Sequence, residues 1–394
     1  MDPTPRPLLV YGAYGYTGTL IAREAIRRGL PVILGGRDSE RLARLAAELG
    51  CPWRAFPLLD AVALRRAIED VSAVVHCAGP FHTTWQPMAE ACLDTRVHYL
   101  DITGEIPVFQ GVSKMGAHAE RAGVMLLPGA GFDVVPTDCL AAHLAQKLPD
   151  AVRLVLAFQG LGHLSIGTAR TMTTPISGLQ VPKGSGPATR RIDFGDGPVR
   201  ALSIPWGDVY TARHTTGVQD VTVYTAQPLH RQLLAGLAMG AAFTFRHPAV
   251  QEAAARALAG GTGGPDAATR AASRSRIAGE AVAGDGRRVE ARLLGPDGYT
   301  LTALAVAGDR GARPGRAGAP GLADAGRGLR RGPGALVAGR DPHGRGPRLS
   351  RARRAVPRVC ILPGRLTCAN RSPSCSSPPL AASCSPAGSP GAAR

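Results

Sequence analysis

Short apolar runs alternate with amphipathic stretches from Leu8 onward, a glycine-rich turn separates the first of each, and the texture of the chain changes after residue 146. Together these observations predict an α/β class: a doubly wound parallel sheet over 1–146, a second α+β domain for substrate or dimer contacts over 147–308, and a disordered basic tail over 309–394. Leu8 to Tyr11 reads as a strand and Thr17 to Arg28 as a helix; Val32 to Leu34 is the next strand and Ser39 to Leu49 the next helix, with Ser39 as its N-cap. The alternation continues with a helix at Ala61 to Ile68, a strand at Ala73 to His76, a helix at Pro87 to Leu93 and a strand at His98 to Ile102. A helix at Ala117 to Ala122 and a strand at Val124 to Leu127 complete a sheet of about six strands.

A helix from Pro136 through Ala145 leads out of this unit. Strand character then returns at 153–158, 199–204 and 218–225, with Gly195-Asp196-Gly197 as a turn. Helices are predicted at Pro228 to Phe245 and Pro248 to Leu258. Three antiparallel strands follow at Arg276 to Val282, Arg288 to Leu293 and Tyr299 to Ala305, the first two joined by the hairpin turn Gly284-Asp285-Gly286.

The formal net charge of +17 would ordinarily point to nucleic acid or an anionic surface. Its location argues otherwise: residues 309–394 hold 16 Arg and 3 Asp, which is +13 of the total, and leave +4 for the rest of the chain. Nucleic-acid binding is therefore not expected of the body. The tail lacks Phe, Trp and Tyr and is rich in Arg, Gly, Pro, Ala and Ser. That mixture is what out-of-frame GC-rich codons give, and Pro320 to Leu336 read one base later can spell a peptide with Trp, Tyr and an aliphatic end. The tail is thus read as out of frame.

The N-terminus runs into the first strand without an apolar signal region, and Leu233 to Phe245 falls short of the roughly 20 residues needed to span a bilayer. The chain reads as cytoplasmic, with Leu233 to Phe245 as a core helix and membrane contact not predicted. Cys51, Cys77, Cys92 and Cys139 lack metal-ligand spacing and read as buried thiols, so no metal site is expected.

Gly12-Ala-Tyr14-Gly15-Tyr16-Thr17-Gly18 follows the first strand and opens the first helix. Glycines there admit a tight turn and the close approach of a pyrophosphate, whose charge meets the helix N-terminus. This is the dinucleotide turn of a Rossmann domain. At the end of the second strand, Gly35-Gly36-Arg37-Asp38 places a guanidinium where a 2′-phosphate lies, which favours NADP over NAD; Asp38 would serve as the ribose ligand if the turn were offset. Gly79, Pro80 and Phe81 end the next central strand on the nicotinamide side. His82, Tyr99, Asp101 and Glu105 are the candidate catalytic residues along that edge, Tyr and His as proton donors after hydride delivery. Each also has a structural reading: Tyr99 as a core aromatic, Asp101 as an acceptor for backbone donors, Glu105 as a solvated turn residue and His82 as an exposed loop residue.

The segments Gly12 to Gly18, Gly36-Arg37, Cys77 to Phe81, His98 to Glu105, Gly131 to Pro136, Ser165 to Ala169, Ile204 to Asp208 and Gly298 to Ala303 resemble the saccharopine-dehydrogenase-like oxidoreductases, a family that includes trans-acting enoyl reductases. The resemblance spans about 1–307. It implies an NADP(H)-dependent hydride transfer to or from an unsaturated or carbonyl-like small molecule, with a hydrophobic, lipid-linked substrate favoured over saccharopine, and it is compatible with a homo-oligomer. The family's usual C-terminal end is missing from the actual tail, which puts the activity of this chain in question. Two other readings stand beside it: a non-catalytic dinucleotide-binding scaffold or sensor, and a decayed gene product.

Overall fold

The computed structural model describes residues 6–159, 165–173, 188–226, 248–258 and 263–308. The first sheet is built from β1 (Leu8–Tyr11), β2 (Val32–Gly36), β3 (Trp53–Ala55), β4 (Ala73–His76), β5 (His98–Asp101) and β6 (Leu126–Leu127). Its order is β3-β2-β1-β4-β5-β6 with every neighbouring pair parallel, the Rossmann order. The intervening helices are α1 (Tyr16–Arg27), α2 (Ser39–Leu49), α3 (Ala61–Ile68), α4 (Phe81–Thr95), α5 (Ile106–Lys114) and α6 (Gly116–Ala122).

The strands are apolar on both faces because helices cover both. Leu8 and Val10 pack with Ile21, Ala22, Leu42 and Leu45 on one side, while Leu9 and Tyr11 pack with Leu64, Ile68, Met88 and Tyr99 on the other. Local chemistry sets the helix ends. Asp38, not Ser39, caps α2, its carboxylate accepting the Arg41 N–H at 3.0 Å, and Gly50 closes that helix at φ +65°. Asp60 caps α3 in the same way.

The helix expected from Pro87 starts six residues earlier, at Phe81, because its N-terminal cap comes from far along the chain: Glu105 accepts the N–H groups of Phe81 at 2.8 Å and His82 at 2.9 Å. No local pattern announces such a cap. The edge strand β3 and the helix α5 were likewise not anticipated; β3 is only three residues long and carries an Arg.

The chain leaves the first sheet through α7 (Val135–Lys147), whose Leu140, Ala141 and Leu144 pack on a second sheet. That sheet comprises β7 (Ala151–Gln159), β8 (Thr189–Asp193), β9 (Pro198–Ser203), β10 (Asp220–Thr225), β11 (Arg274–Ala283) and β12 (Arg288–Pro296), in the order β12-β11-β7-β10-β9-β8. It is mixed: β7 and β10 run parallel and the other pairs antiparallel. The helices α8 (Ile166–Thr173), α9 (Asp208–Thr216), α10 (Pro248–Leu258), α11 (Ala267–Ala272) and α12 (Gly298–Ala307) complete the described chain.

Gly284-Asp285-Gly286 forms the predicted hairpin turn, with Gly286 at φ +89°. The third strand expected there, Tyr299 to Ala305, is instead the helix α12. Asp297 caps it by accepting the N–H groups of Tyr299 and Thr300, and its apolar residues serve both units: Leu301 joins the second sheet's core, while Ala303 and Val306 pack beside α1. An apolar run of this length suits a buried helix as well as a strand, and the Asp cap decides. The predicted helix Pro228 to Phe245 and the tail 309–394 lie outside the described residues. Among the described residues, no helix is long and apolar enough to cross a membrane.

Candidate active site

The turn at Gly12 to Gly18 is shaped by three different demands. Gly12 sits at φ +80°, and a Cβ there would lie 3.1 Å from the backbone of Cys77 and Ala78, so only glycine lets β1 and β4 close at the switch point between them. A Cβ on Gly18 would collide with the Gly12 carbonyl oxygen. On Gly15 it would meet only that same oxygen, at 3.1 Å, and otherwise open space. Gly15 also supplies no side-chain cap to α1. The N–H groups of the first turn, Tyr16, Thr17 and Gly18, therefore face an open volume at a helix N-terminus, the arrangement that holds a pyrophosphate.

At the end of β2 the Tyr14 ring lies against Gly36, where a Cβ would come within 2.5 Å of it. The Tyr14 hydroxyl accepts the Arg37 N–H at 3.3 Å. Above the ring, 4.4 Å from its centre, stands the guanidinium of Arg41, which also donates to the Tyr14 carbonyl at 3.2 Å. Arg37 and Arg41 are exposed, and the Arg37 side chain has no ion-pair or hydrogen-bond partner among the described residues. Asp38 is committed to its cap. Two exposed cations beside this strand end suit a 2′-phosphate, with Glu40 the neighbouring carboxylate on the same turn of α2. Sequence reasoning passed over Arg41; its spacing of four from Arg37 on the opening turn of α2 was the available signal.

The structure separates the four candidate catalytic residues into two layers. Tyr99 and Asp101 are fully buried in β5. Asp101 accepts the Tyr99 hydroxyl at 2.6 Å and the N–H groups of Thr103 at 3.0 Å and Gly129 at 2.8 Å, which ties the ends of β5 and β6 together. Burial pushes the Asp101 carboxyl up to about 6, and these three donors oppose the rise. Both side chains are enclosed, and the bonds they make hold the strand ends together.

Glu105 and His82 form the upper layer. Glu105 is buried rather than solvated, and its Oε2 also accepts His82 Nδ1 at 2.6 Å. His82 is half-buried at the head of α4, not on a free loop. Because a carboxylate only accepts, the neutral ring carries its proton on Nδ1 and leaves Nε2 as the acceptor nitrogen. Of the three residues expected to line the nicotinamide, Gly79 is exposed and Pro80 half-buried at the strand end, but Phe81 is a core residue, 5.7 Å from the His76 ring in an edge-on contact.

Residues of the second unit meet the first along its carboxyl edge. Tyr16 points away from the dinucleotide turn: its hydroxyl donates to the Pro265 carbonyl and accepts from Arg270 at 2.8 Å, and its ring meets Tyr299 edge-on at 4.9 Å. Its side chain is thus engaged with the second unit, while its backbone N–H stands in the first turn of α1. Tyr299 in turn accepts the Ser165 N–H at 2.6 Å and lies 3.2 Å from the Thr168 hydroxyl. Trp206 Nε1 donates to the Asp133 carbonyl at 2.8 Å, bringing the 204–207 loop over the carboxyl edge of the first sheet. Asp133, Trp206 and Tyr299 stand in segments that carry the resemblance, yet periodicity alone marks none of them as a site residue. The four described cysteines are free; burial pushes Cys77 and Cys92 well up and Cys139 up to about 12, so they stay protonated thiols. Among the described residues, no group of three or more His, Cys, Asp or Glu is placed to hold a metal ion.

Residues 8–127 match the family described as saccharopine dehydrogenase NADP binding domain. Among curated relatives, a probable mitochondrial saccharopine dehydrogenase-like oxidoreductase of Arabidopsis thaliana is 32% identical over 161 residues, covering 35% of this chain and 35% of its own. A human saccharopine dehydrogenase-like oxidoreductase is 27% identical over 178 residues, 40% of this chain and 41% of its own. A trans-acting enoyl reductase of Mycobacterium leprae is 31% identical over 161 residues, 38% of each. The matches therefore span well under half the length of these relatives. Among solved structures, saccharopine dehydrogenase (L-Glu forming) of Saccharomyces cerevisiae covers 84% of this chain and 93% of its own at a TM-score of 0.49 and 11% identity.

Proposed function

We propose, for a chain whose residues 8–127 match the family described as saccharopine dehydrogenase NADP binding domain, that it is an NADP(H)-dependent oxidoreductase acting on an unsaturated or carbonyl-like substrate held in a cleft between its two sheets. The observation that carries this reading is the turn at Gly12 to Gly18, tight at Gly12 and Gly18 and open at Gly15, with unpaired Arg37 at the neighbouring strand end. The bound cofactor supplies or accepts the hydride. The first turn of α1 holds its pyrophosphate, and Arg37 with Arg41 its 2′-phosphate. His82, oriented by Glu105, presents an acceptor at Nε2 to a donor group of the substrate or cofactor. Trp206 and Tyr299 cover the cleft and keep water from the reacting carbon.

A hydrophobic, lipid-linked substrate is supported by the character of this wall. Among the described residues it offers aromatic rings and backbone, and the Arg270 guanidinium beside them is spent on the Tyr16 hydroxyl and the Pro265 carbonyl at 2.8 Å each. A substrate with several carboxylates would need free cations there. The test is to mix the purified protein with NADPH and a panel of α,β-unsaturated and carbonyl lipids and follow the cofactor's absorbance. Oxidation with an apolar acceptor is the expected result; tight NADPH binding without oxidation by any acceptor would favour a non-catalytic sensor.

A further inference from the structure

We infer that the Asp133 carboxyl carries the proton that accompanies hydride transfer, an assignment that rests on the oxidoreductase reading above. Asp101, Glu105 and Asp133 stand beyond β5 and β6 at the carboxyl edge of the first sheet, and the first two are fully employed. Asp101 accepts from Tyr99, Thr103 and Gly129; Glu105 accepts from Phe81 and from both nitrogens of His82 that face it. Asp133, half-buried in the same edge, meets no hydrogen-bond donor among the described residues. A carboxyl left without a donor inside a cleft is costly unless an external group uses it.

Its placement is enforced. A Cβ on Gly104 would lie 3.2 Å from Asp133 Cβ, 3.3 Å from its Oδ2 and 3.3 Å from Trp206 Cε2, so glycine opens the notch in which the carboxyl rests under the indole. The Trp206 Nε1 bond to the Asp133 carbonyl fixes the backbone. Among the described residues, the titratable groups that face it are Glu105 from the loop after β5, Asp208 at the start of α9 and Tyr299 on α12, all acids. Burial first, and the negative Glu105 second, push Asp133 up to about 7. A group that both gives and takes a proton at neutral pH works best in that range. His82 cannot take this part in its neutral form, because its proton is held on Nδ1 by Glu105.

In the reducing direction the substrate carbon gains a hydride from the reduced cofactor while the Asp133 O–H bond breaks. The proton goes to the carbonyl oxygen, or to the α-carbon of a conjugated alkene, and the electron pair of the broken bond stays on the carboxylate. Asp133 would be left ionised, where its charge would favour the oxidised, cationic nicotinamide, and would regain its proton from solvent. In the oxidising direction every transfer reverses.

The pairing of charges can be read without a substrate. The dissociation constants of NADP⁺ and NADPH, measured by fluorescence from pH 5.5 to 8.5, give a ratio in which the titration of the shared phosphates cancels. The ratio should shift toward NADP⁺ by about tenfold as pH rises through 7, the size of one partly screened charge pair at close range. In Asp133→Asn it should be flat. A ratio with the same pH dependence in parent and variant would overturn the assignment. Carbon-13 NMR of aspartate-labelled parent protein guards against a variant that fails to fold: of the carboxyls with raised values, which include Asp101 and Asp208, one titrating near 7 should move lower on adding NADP⁺, and the absence of any such response would equally overturn the assignment. If the parent binds neither nucleotide, it is the oxidoreductase reading that fails.

Discussion

Replacing Arg37 with alanine removes a guanidinium that makes no hydrogen bond or ion pair among the described residues, so its loss should register in cofactor affinity far more than in folding. Hydrogen bonds to charged groups contribute about 1.5–3 kcal/mol. At about 1.4 kcal/mol per tenfold change, Arg37→Ala should weaken NADPH by roughly one to two orders of magnitude. NADH, which lacks the 2′-phosphate, should be almost unaffected. Arg41→Ala should behave differently, because Arg41 also lies over the Tyr14 ring and holds its carbonyl, and Tyr14 packs against Gly36 for either cofactor. It should weaken both, with NADPH the more affected. Calorimetric titration of both cofactors into parent and variants at fixed, moderate salt separates these outcomes. Equal losses of NADPH and NADH in Arg37→Ala would refute the assignment and make Arg37 a support of the fold; a parent that prefers NADH would turn attention to Asp38.

Gly18→Ala should destabilise the first unit, because its Cβ meets the Gly12 backbone, which cannot swing aside; a melting temperature equal to the parent's would contradict this. Glu105→Gln turns an N–H₂ toward donors at the head of α4 and should cost about 1–3 kcal/mol in urea unfolding, with an unchanged midpoint counting against the cap. His76 is fully buried among Tyr11, Phe81 and Tyr99, and burial holds its pKa down to about 3. The unfolded chain therefore binds a proton below about 6.5 that the folded chain refuses, so this group costs stability as pH falls. Between pH 8 and pH 5 the loss is about 2 kcal/mol, and His76→Phe should abolish it. The buried Asp101 and Asp133, whose raised values act in the opposite sense, are common to both proteins and cancel in the difference. Identical pH profiles for parent and His76→Phe would show that the ring is not held neutral.

What sequence made legible was whatever local chemistry decides. The alternation from β1 to β6 followed from apolar runs covered on both faces, and the cofactor turn from three glycines in a strand-to-helix context. The start of α4 escaped because its cap, Glu105, arrives from beyond β5. Helix α12 escaped because Leu301, Ala303 and Val306 face two different cores, so neither period shows cleanly. The site divided along the same line. Arg37 could be placed from the end of its strand, whereas the fates of Tyr99, Asp101 and Tyr16 depend on partners that only the folded chain brings near: Tyr99 and Asp101 on each other beneath the edge, Tyr16 on Pro265 and Arg270 across the cleft. Asp133 and Trp206 meet only when the 204–207 loop folds over the first sheet.

The dinucleotide seat itself is tested most directly by Gly15→Val. The position has open space on its outer side, so the variant should fold with a melting temperature within a few degrees of the parent, while the side chain fills the volume at the N-terminus of α1 where the pyrophosphate must sit. Titration of NADPH, followed by protein fluorescence, should saturate in the parent and show no binding in Gly15→Val. Unchanged NADPH affinity in a folded Gly15→Val protein would contradict the account, because the cofactor would then be held somewhere other than this turn.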